Sequence, residues 1–387
     1  MKTGWQKHKL RDLLEIQNGY AFDAKAFTPS EGMPLIRIRD LKGGAKTETR
    51  FTGGYDKKYV VKSGDLLIGM DGEFGCYEWK GPHALLNQRV CRLQGFASKL
   101  SPRFLFYGVN SHLKAIEDVT GYATVKHISS KQILDIDFPI PPLPEQQRIV
   151  TILDKAFDGI ATAKANAEKN LQNASALFES HLQSVFTQRG EGWVEKTVDQ
   201  LSTNLDSKRV PITKSDRKTG EYPYYGASGI VDYVADYIFD GDTLLVSEDG
   251  ANLLMRSTPI AFSASGKYWV NNHAHILKFE NMATQRFVEF YLESIKLDEY
   301  ITGAAQPKLN QKALNSIPIP IPTAVKAQAK VVQSIESLSA EIQRLESFYQ
   351  RKLAALDELK KSLLHQAFTG QLTKDESPST RETATHG

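Results

Sequence analysis

Three short segments contain the residue types that metal binding or nucleotide chemistry would need. His273 and His275 form a metal-like pair, but no third His, Cys or carboxylate follows at ligand spacing, so zinc is only weakly indicated. The segment Ser265–Tyr268 contains a Gly-Lys pair without the upstream glycine and the following Ser or Thr of a phosphate-binding loop. Cys76 and Cys91 suit small buried positions better than ligation. We therefore expect no metal or cofactor site in this chain.

Motifs of DNA-modifying enzymes are also missing from the sequence. There is no Asn-Pro-Pro-Tyr or Asn-Pro-Pro-Phe segment, with which amino-methyltransferases hold a flipped base, and no glycine-rich S-adenosylmethionine loop. No Pro-Asp dipeptide occurs, so the usual form of the PD…(D/E)xK nuclease core is absent. These absences predict a protein that is not itself an enzyme.

Basic side chains could instead recognise a nucleic acid. The alternating segment Ile36–Arg39 predicts a strand with both arginines on the face opposite the isoleucines, where they could contact DNA or be merely solvated. The net charge of +3 is too small to establish DNA binding by itself, and a solvated lysine-rich face is the alternative. The basic candidates for DNA contact are Arg37, Arg39, Lys46, Lys57, Lys58, Lys214 and Arg217.

Two loops and one aromatic segment supply the other candidates. The loop 121–131 corresponds to the loop 303–312, and Lys126 is matched with Lys308; glycine there permits close backbone approach and lysines can meet phosphates. The aromatic segment 222–229 could contact bases or simply pack, and Glu248-Asp249-Gly250 could accept a cytosine amino proton or shape a turn. The candidates in these segments are Thr124, Lys126, His127, Lys131, Tyr224, Tyr225, Ser228, Lys308, Asn310 and Lys312.

The elements that would position these residues are present twice. Four landmarks recur in the same order at offsets of 177 to 188 residues, which predicts a tandem duplication of a unit of about 180 residues. The landmark pairs are Trp5 and Trp193, Gly64-Asp65 and Gly241-Asp242, Pro139-Ile140-Pro141 and Pro320-Ile321-Pro322, and Phe186-Thr187 and Phe368-Thr369.

Each unit begins with short β-branched and aromatic runs between glycine turns, followed by a proline cluster and a long helical stretch. Shorter helices are predicted over 101–117 and 284–301. The second long helix has one heptad row of Ile335, Ile342, Tyr349, Leu356 and Leu363 and another of Leu338, Leu345 and Leu359. The first has Leu153, Phe157, Ile160, Leu171, Phe178 and Val185 at similar spacing, with small Ala156, Ala163, Ala167 and Ala174. We interpret both as packing stripes.

The predicted fold class is α+β, a tandem duplication of a mixed β-rich domain followed by a long helix. The two helices are expected to form an antiparallel coiled coil with pseudo-two-fold symmetry, which would place the β-rich domains at its opposite ends. The predicted boundaries are β-rich domains at 1–143 and 189–322, long helices at 144–188 and 323–372, and a disordered tail at 373–387. No apolar run suits a membrane span or a secretory signal, and two cysteines suit a reducing compartment, so a cytoplasmic protein is expected.

The segment Phe138–Val150, FPIPPLPEQQRIV, closely resembles the junction between target recognition domain and conserved helix in specificity subunits of type I restriction-modification systems. The second copy, Ile319–Pro322 followed by Gln328 and Val331-Val332, resembles it more loosely, because its Glu-Gln-Gln core is not retained. The helix end Ala367–Leu372 is similar to the C-terminal repeat of that family. The resemblance extends from Trp5 to Leu372.

The resemblance implies that each β-rich domain reads one half of a bipartite, asymmetric target in double-stranded DNA. The helices would set the unread spacer and dock two methyltransferase subunits, which two restriction subunits could join. S-adenosylmethionine, ATP and Mg²⁺ would then be bound by partner subunits, and no membrane is implied.

Three other interpretations remain open from the sequence. One is a single-chain methyltransferase or restriction fusion, against which the missing motifs argue. Another is a non-enzymatic scaffold whose coiled coil and β-rich domains bind protein. The last is the DNA-binding part of a methyltransferase system that lacks a nuclease.

Overall fold

The computed structural model describes residues 5–120, 126–303 and 306–373. The chain divides into two compact units: unit 1 comprises Met1–Ala165 with Leu353–Gly387, and unit 2 comprises Asn166–Lys352. Within the described ranges, no helix is both long and apolar enough to cross a membrane. Of the disordered tail predicted at 373–387, Thr373 is instead buried, and its hydroxyl donates to the Glu145 carboxylate at 2.8 Å. The rest of that tail, like Thr124, lies outside the described residues.

Unit 1 contains three sheets with strand orders β1-β11, β2-β10-β7-β8 and β3-β5-β4-β9-β6. Its strands are β1 (Gln6–Lys9), β2 (Glu15–Asn18), β3 (Phe27–Thr28), β4 (Met33–Ile36), β5 (Arg50–Phe51), β6 (Val60–Val61), β7 (Leu66–Gly69), β8 (Gly75–Glu78), β9 (Ala84–Leu86), β10 (Val90–Gln94) and β11 (Asp137–Ile140). Its helices are α1 (Ile38–Leu41), α2 (Pro102–Val119), α3 (Ser130–Leu134) and the first part of α4 (Leu143–Thr187), with 3-10 turns at Leu10–Asp12, Ala24–Ala26 and Lys57–Tyr59.

Unit 2 contains sheets with strand orders β12-β21, β13-β20-β17-β18 and β15-β14-β19-β16. Its strands are β12 (Trp193–Thr197), β13 (Ser202–Asn204), β14 (Thr219–Gly226), β15 (Gly229–Val234), β16 (Phe239–Asp240), β17 (Thr243–Ser247), β18 (Ala261–Ala264), β19 (Lys267–Val270), β20 (Ala274–Phe279) and β21 (Pro318–Pro322). Its helices are α5 (Val198–Leu201), α6 (Asn252–Met255), α7 (Met282–Ser294), α8 (Gln311–Asn315) and the first part of α9 (Val325–Thr369), with 3-10 turns at Asp206–Lys208 and Asp298–Tyr300.

The landmarks of the repeat occupy matching places in the two units. The strand that follows Trp5 pairs with β11, and the strand that begins at Trp193 pairs with β21, so each pair joins the start of a β-rich domain to its proline-rich end. Prolines are tolerated because these are two-stranded sheets with open edges. Gly64 and Gly241 have φ of 92° and 116°, a left-handed conformation that favours glycine before β7 and β17. The duplication is therefore confirmed at the level of strand order.

The long helices pack antiparallel within each unit. In unit 1, Lys360 lies over the ring of Phe157 at 5.2 Å, and Lys164 pairs with Asp357 at 2.5 Å. In unit 2, the side chain of Asn170 donates to the Tyr349 hydroxyl, whereas Ser175, further along α4, bonds to the earlier residue Glu346. From one contact to the next, the residue number rises along α4 and falls along α9. The two helices therefore run antiparallel.

Both long helices contribute to the hydrophobic cores of the units. In unit 1, Ile149, Leu153 and Ala367 are buried with Phe104 of α2 and Phe138 of β11. In unit 2, Leu182 and Phe186 of α4 are buried with Val332 and Ile335 of α9 and Phe287 of α7. The predicted fold class, a mixed domain followed by a long packed helix and then repeated, is confirmed.

Three details differ from the sequence-based expectations. The helix predicted over 284–301 ends at Ser294, where Ile295 returns to extended backbone. In the second heptad row of α9, Leu345 and Leu359 are exposed, whereas Ile335 and Ile342 of the first row are buried, so one row does most of the packing. The strand predicted over Ile36–Arg39 is wrong beyond Ile36, because the Arg37 backbone N–H donates to the Asp40 carboxylate at 2.8 Å and a helical turn begins.

Candidate nucleic-acid interface

A concave surface in unit 1 forms where two parallel strands end together. β4 and β9 run parallel with Ile36 opposite Leu86, so the residues that follow them leave the sheet at the same edge. The surface encloses about 250 Å³ and is lined by Arg37, Ile38, Arg39, Asn87, Gln88, Arg89 and Val90. It brings together three guanidinium groups and two amides, which are the side chains best suited to guanine, adenine and phosphate oxygens. Arg37 and Arg39 are therefore neighbours at one site, although not on one strand face.

Asp71 joins two segments that are distant in sequence at this site. Its carboxylate lies 3.3 Å from the Arg89 guanidinium and 2.6 Å from His127 Nδ1. The backbone supports this contact, because Asp71 forms an isolated antiparallel bridge with His127. Arg89 and His127 remain about half exposed, so Asp71 orients them without removing them from solvent.

Lys126 has a different environment from the one predicted for a phosphate contact. It is half-buried, and its ammonium donates to the Glu117 carbonyl at 2.7 Å, near the end of α2. A lysine at this place stabilises the carbonyl end of the helix. Lys131, in α3, is exposed.

Unit 2 builds a similar arrangement around Asp249. His273 Nδ1 lies 2.9 Å from its carboxylate, and Asp249 bridges to Lys308 through the backbone. In unit 1, Gly72 donates to the carbonyl of Lys126, and in unit 2, Gly250 donates to that of Pro307. His127 and Lys308, the residues that follow, therefore occupy equivalent positions in their own units. The predicted match of Lys126 with Lys308 is therefore wrong by one residue.

A buried charged network lies behind Lys308. The His275 ring bonds to Asp206 at 2.5 Å and to the Leu309 carbonyl at 2.7 Å. Glu248 pairs with Arg209 at 2.6 Å and with Lys308 at 3.2 Å. Burial opposes the charge of both carboxylates, but the pKa of Asp206 is lowered by hydrogen bonding to His275, and the pKa of Glu248 by Arg209.

The same network contains the ligand-like group Asp206, Glu248 and His275, whose donor atoms lie within 4.8 Å of one another. Arg209 contacts both carboxylates, Lys308 also contacts Glu248, and both ring nitrogens of His275 are hydrogen-bonded. We therefore assign these residues to an ion-pair network that fixes the Lys308 loop. The neighbouring His273 bonds to Asp249 instead, so the two histidines do not converge on one ligand.

The remaining candidates are dispersed. Tyr224 is 1% exposed, so its side chain packs in the core and is too buried to contact DNA. Tyr225 packs against Phe262 and Tyr268. Arg217 lies over the Tyr224 ring and pairs with Asp232. Asn310 caps α8 by accepting from the Ala313 N–H, and Lys58 pairs with Asp56. Lys58 is exposed, as are the other remaining candidates, Lys46, Lys57, Lys214, Ser228 and Lys312.

Comparison with known proteins gives the family. The model of the type I restriction modification DNA specificity domain matches twice, over residues 2–172 and 190–349. The chain belongs to this family. It is a type I restriction-modification specificity subunit, which is a non-catalytic chain, and the family that the Phe138–Val150 segment resembles is confirmed.

Relatives agree with this assignment over nearly the whole chain, and a solved structure shares the fold. The EcoBI specificity subunit of Escherichia coli is 27% identical, covering 95% of this chain and 86% of the relative. The EcoDI specificity subunit of the same species is 39% identical, covering 96% and 90%. A solved structure described as the structural basis of complex assembly and conformational transition of the type I R-M system has a TM-score of 0.74 at 16% identity, covering 96% of this chain and 99% of that one, and so supports the fold.

Sequence reasoning missed three residues of this specificity subunit that line the unit 1 surface, Asn87, Gln88 and Arg89. Their signal is local: an Asn-Gln-Arg turn follows a buried strand, and Asn271-Asn272-His273 follows the matching strand of unit 2. A turn of three residues has no periodicity, so only the repeat could have drawn attention to it.

Proposed function

We propose that this specificity subunit reads a bipartite sequence in double-stranded DNA, with one recognition domain on each half-site. The supporting observation is that the two family domains share their strand order but differ in the side chains around matching aspartates. Asp71 holds Arg89 and His127, whereas Asp249 holds His273 and is bridged to Lys308. Different donors at the same place favour different contacts, so an asymmetric target is expected.

The partners follow from the same family membership. We infer that two methyltransferase subunits dock on the long helices, that the helices set the spacer between half-sites, and that two restriction subunits can join the complex. S-adenosylmethionine, ATP and Mg²⁺ would be bound by those partners, in the cytoplasm. Relatives that cover nearly the whole chain are named as specificity subunits of type I restriction enzymes, which supports this assembly.

The test of DNA binding uses the full chain and a double-stranded DNA library at several salt concentrations. Phosphate contacts release counterions, so the logarithm of affinity should fall steeply with the logarithm of salt concentration. Binding without a salt dependence, or no enriched sequence, would contradict the proposal. A DNA of scrambled sequence is the control for the non-specific part of the affinity.

A domain replacement tests the division into half-sites. Residues 189–322 are exchanged for the second recognition domain of another family member, and the modified adenines are sequenced in cells that contain the partner subunits. One half of the methylated motif should change and the other should persist. A change in both halves, or in neither, would exclude one reader for each half-site.

A further inference from the structure

The two strand-end turns, defined as Asn87–Arg89 in unit 1 and Asn271–His273 in unit 2, have the same construction. Each follows the second strand of a parallel pair: β4 with β9, where Ile36 lies opposite Leu86, and β14 with β19, where Tyr225 lies opposite Val270. Each also precedes an inner strand of the neighbouring four-stranded sheet, β10 or β20. The two turns are therefore equivalent positions of the duplicated fold.

The first residue of each turn is an asparagine with a structural role. The Asn87 side chain accepts from the Gln88 N–H at 2.7 Å, and the Asn271 side chain accepts from the His273 N–H at 2.8 Å. Such local bonds to the backbone are how asparagine shapes turns. The side-chain amides of these two asparagines therefore serve to hold the turns.

The third residue is a cation-forming group held by an aspartate. Arg89 contacts Asp71 and His273 contacts Asp249. The backbone is held as well, because the carbonyls of Arg89 and His273 accept from the N–H groups of Met70 and Glu248. Each turn is thus fixed on both sides of its middle residue.

The middle residues, Gln88 and Asn272, are the ones without a structural role. Both are exposed, and among the residues that the structure describes neither side-chain amide has a hydrogen-bond partner. A primary amide presents one donor and one acceptor side by side, which matches the N6 and N7 atoms of adenine in the major groove. A side-chain amide that bonds to no protein group and is held on a rigid backbone can pair selectively with one base.

We propose that Gln88 and Asn272 each read an adenine, Gln88 in the half-site of the first recognition domain and Asn272 in that of the second. This inference rests on the proposed function, since it requires DNA at both domains. The charge of the surroundings supports it: Arg37, Arg39 and Arg89 border Gln88, and His273 and Lys308 lie near Asn272 around Asp249. These groups can hold phosphates while the amide meets a base edge.

The experiment selects bound sequences from a randomised double-stranded DNA library with the full chain, its Gln88→Ala and Asn272→Ala variants, and Gln147→Ala. Gln147 is an exposed amide on α4 and serves as the matched control. Gln88→Ala should abolish the choice of A·T at one position of one half-site, with a loss of roughly 5- to 150-fold for the wild-type target. Asn272→Ala should do the same in the other half-site, and Gln147→Ala should leave the motif unchanged.

A change of preference separates base readout from loss of folding. In Gln88→Glu a carboxylate replaces the amide, and a carboxylate accepts from the N4 amino group of cytosine, so the preferred base at that position should become cytosine. If the wild-type chain enriches no sequence, the proposed function fails and this inference fails with it. If the wild-type chain enriches a bipartite motif that the Gln88 and Asn272 variants retain, or if they lose a base other than adenine, only this inference is overturned.

Discussion

Gln146 and Gln328 make the same hydrogen bond at the start of the two long helices. Each is buried and is the fourth residue of its helix, and each donates its side-chain amide to the carbonyl of a preceding proline, Pro141 at 2.9 Å and Pro322 at 2.7 Å. The amide oxygen of Gln146 accepts from the Ser101 N–H, and that of Gln328 accepts from the Thr284 hydroxyl. In each unit the glutamine joins the long helix to the first turn of a domain helix.

Replacement of Gln146 by Leu should therefore destabilise unit 1. The change leaves the Ser101 N–H and the Pro141 carbonyl without their partner, and each unsatisfied buried group costs about 1–3 kcal/mol. The free energy of unfolding is measured in urea. Gln147→Leu is the matched control, because Gln147 is exposed; equal effects of the two substitutions would show that the buried bonds are not important.

Gly108 of α2 should not tolerate a side chain. A Cβ at this position would overlap the Phe368 ring, and it would lie 2.8 Å from the Phe138 ring. Gly108→Ala is therefore expected to lower the free energy of unfolding by about 1–3 kcal/mol, since the core must shift. Gly159→Ala on α4 is the control with the opposite sign: nothing lies within 4 Å, and alanine should stabilise the helix by about 0.5–1 kcal/mol. A neutral Gly108→Ala would contradict the packing of Phe368 on α2.

The duplication and the long helices could be predicted because their signals are long or repeated. The junction between each β-rich domain and its long helix was harder to predict in the second copy. The sequence suggested that the Glu-Gln-Gln core is lost from the second copy, but Gln328 keeps the hydrogen bond to a proline carbonyl that Gln146 makes. Of this three-residue core, the second copy retains one buried glutamine. A comparison of short segments by residue identity gives that glutamine no special weight.

The details of the interface could not be predicted for local reasons. Alternation of Ile and Arg is compatible with a strand, but the Asp40 carboxylate accepts a hydrogen bond from the Arg37 N–H, and a helical turn begins there. Matching lysines by residue type shifted the register of the loop by one residue, because backbone pairing aligns His127 with Lys308. The strand-end turns have no periodic pattern, so their uncommitted amides required the three-dimensional structure.

Asp206 should stabilise unit 2 in a pH-dependent way. Burial, the largest single influence, opposes its charge, but the hydrogen bond and charge of His275, the Ile276 N–H and the charge of Arg209 together outweigh burial and lower the pKa of Asp206. A lowered carboxyl pKa contributes stability that is fully present above the unfolded value of about 3.9 and is lost as pH falls through the folded value. Asp206→Asn breaks a buried ion pair and should cost about 3–5 kcal/mol near pH 7.

The pH series tests the sign of this effect. The difference in unfolding free energy between wild type and Asp206→Asn should shrink as the pH falls below about 4. Asp240→Asn is the control, because Asp240 is exposed at the end of β16 and should show no such difference. A difference that grows as pH falls would mean that Asp206 is protonated in the folded protein.

Lys308 should contact a phosphate near the second half-site rather than read a base. Its ammonium is half exposed and lies 3.2 Å from Glu248, while the His275 bond to the Leu309 carbonyl fixes the loop behind it. Lys308→Ala removes one positive charge and no base-reading group. Affinity should fall similarly for the selected target and for unrelated DNA, and the salt dependence should flatten by about one contact.

The measurement is affinity at several salt concentrations, on the selected target and on each single-base variant of it. Lys352→Ala, on an exposed position of α9, is the matched control for loss of charge and should leave the slope unchanged. Lys126→Ala should act on stability instead, because Lys126 is half-buried and donates to the Glu117 carbonyl of α2. Lys308→Ala could instead reduce discrimination at one base pair by about 1–3 kcal/mol without changing the salt dependence. Lys308 would then read sequence, because only a contact with a base edge discriminates between base pairs in this way.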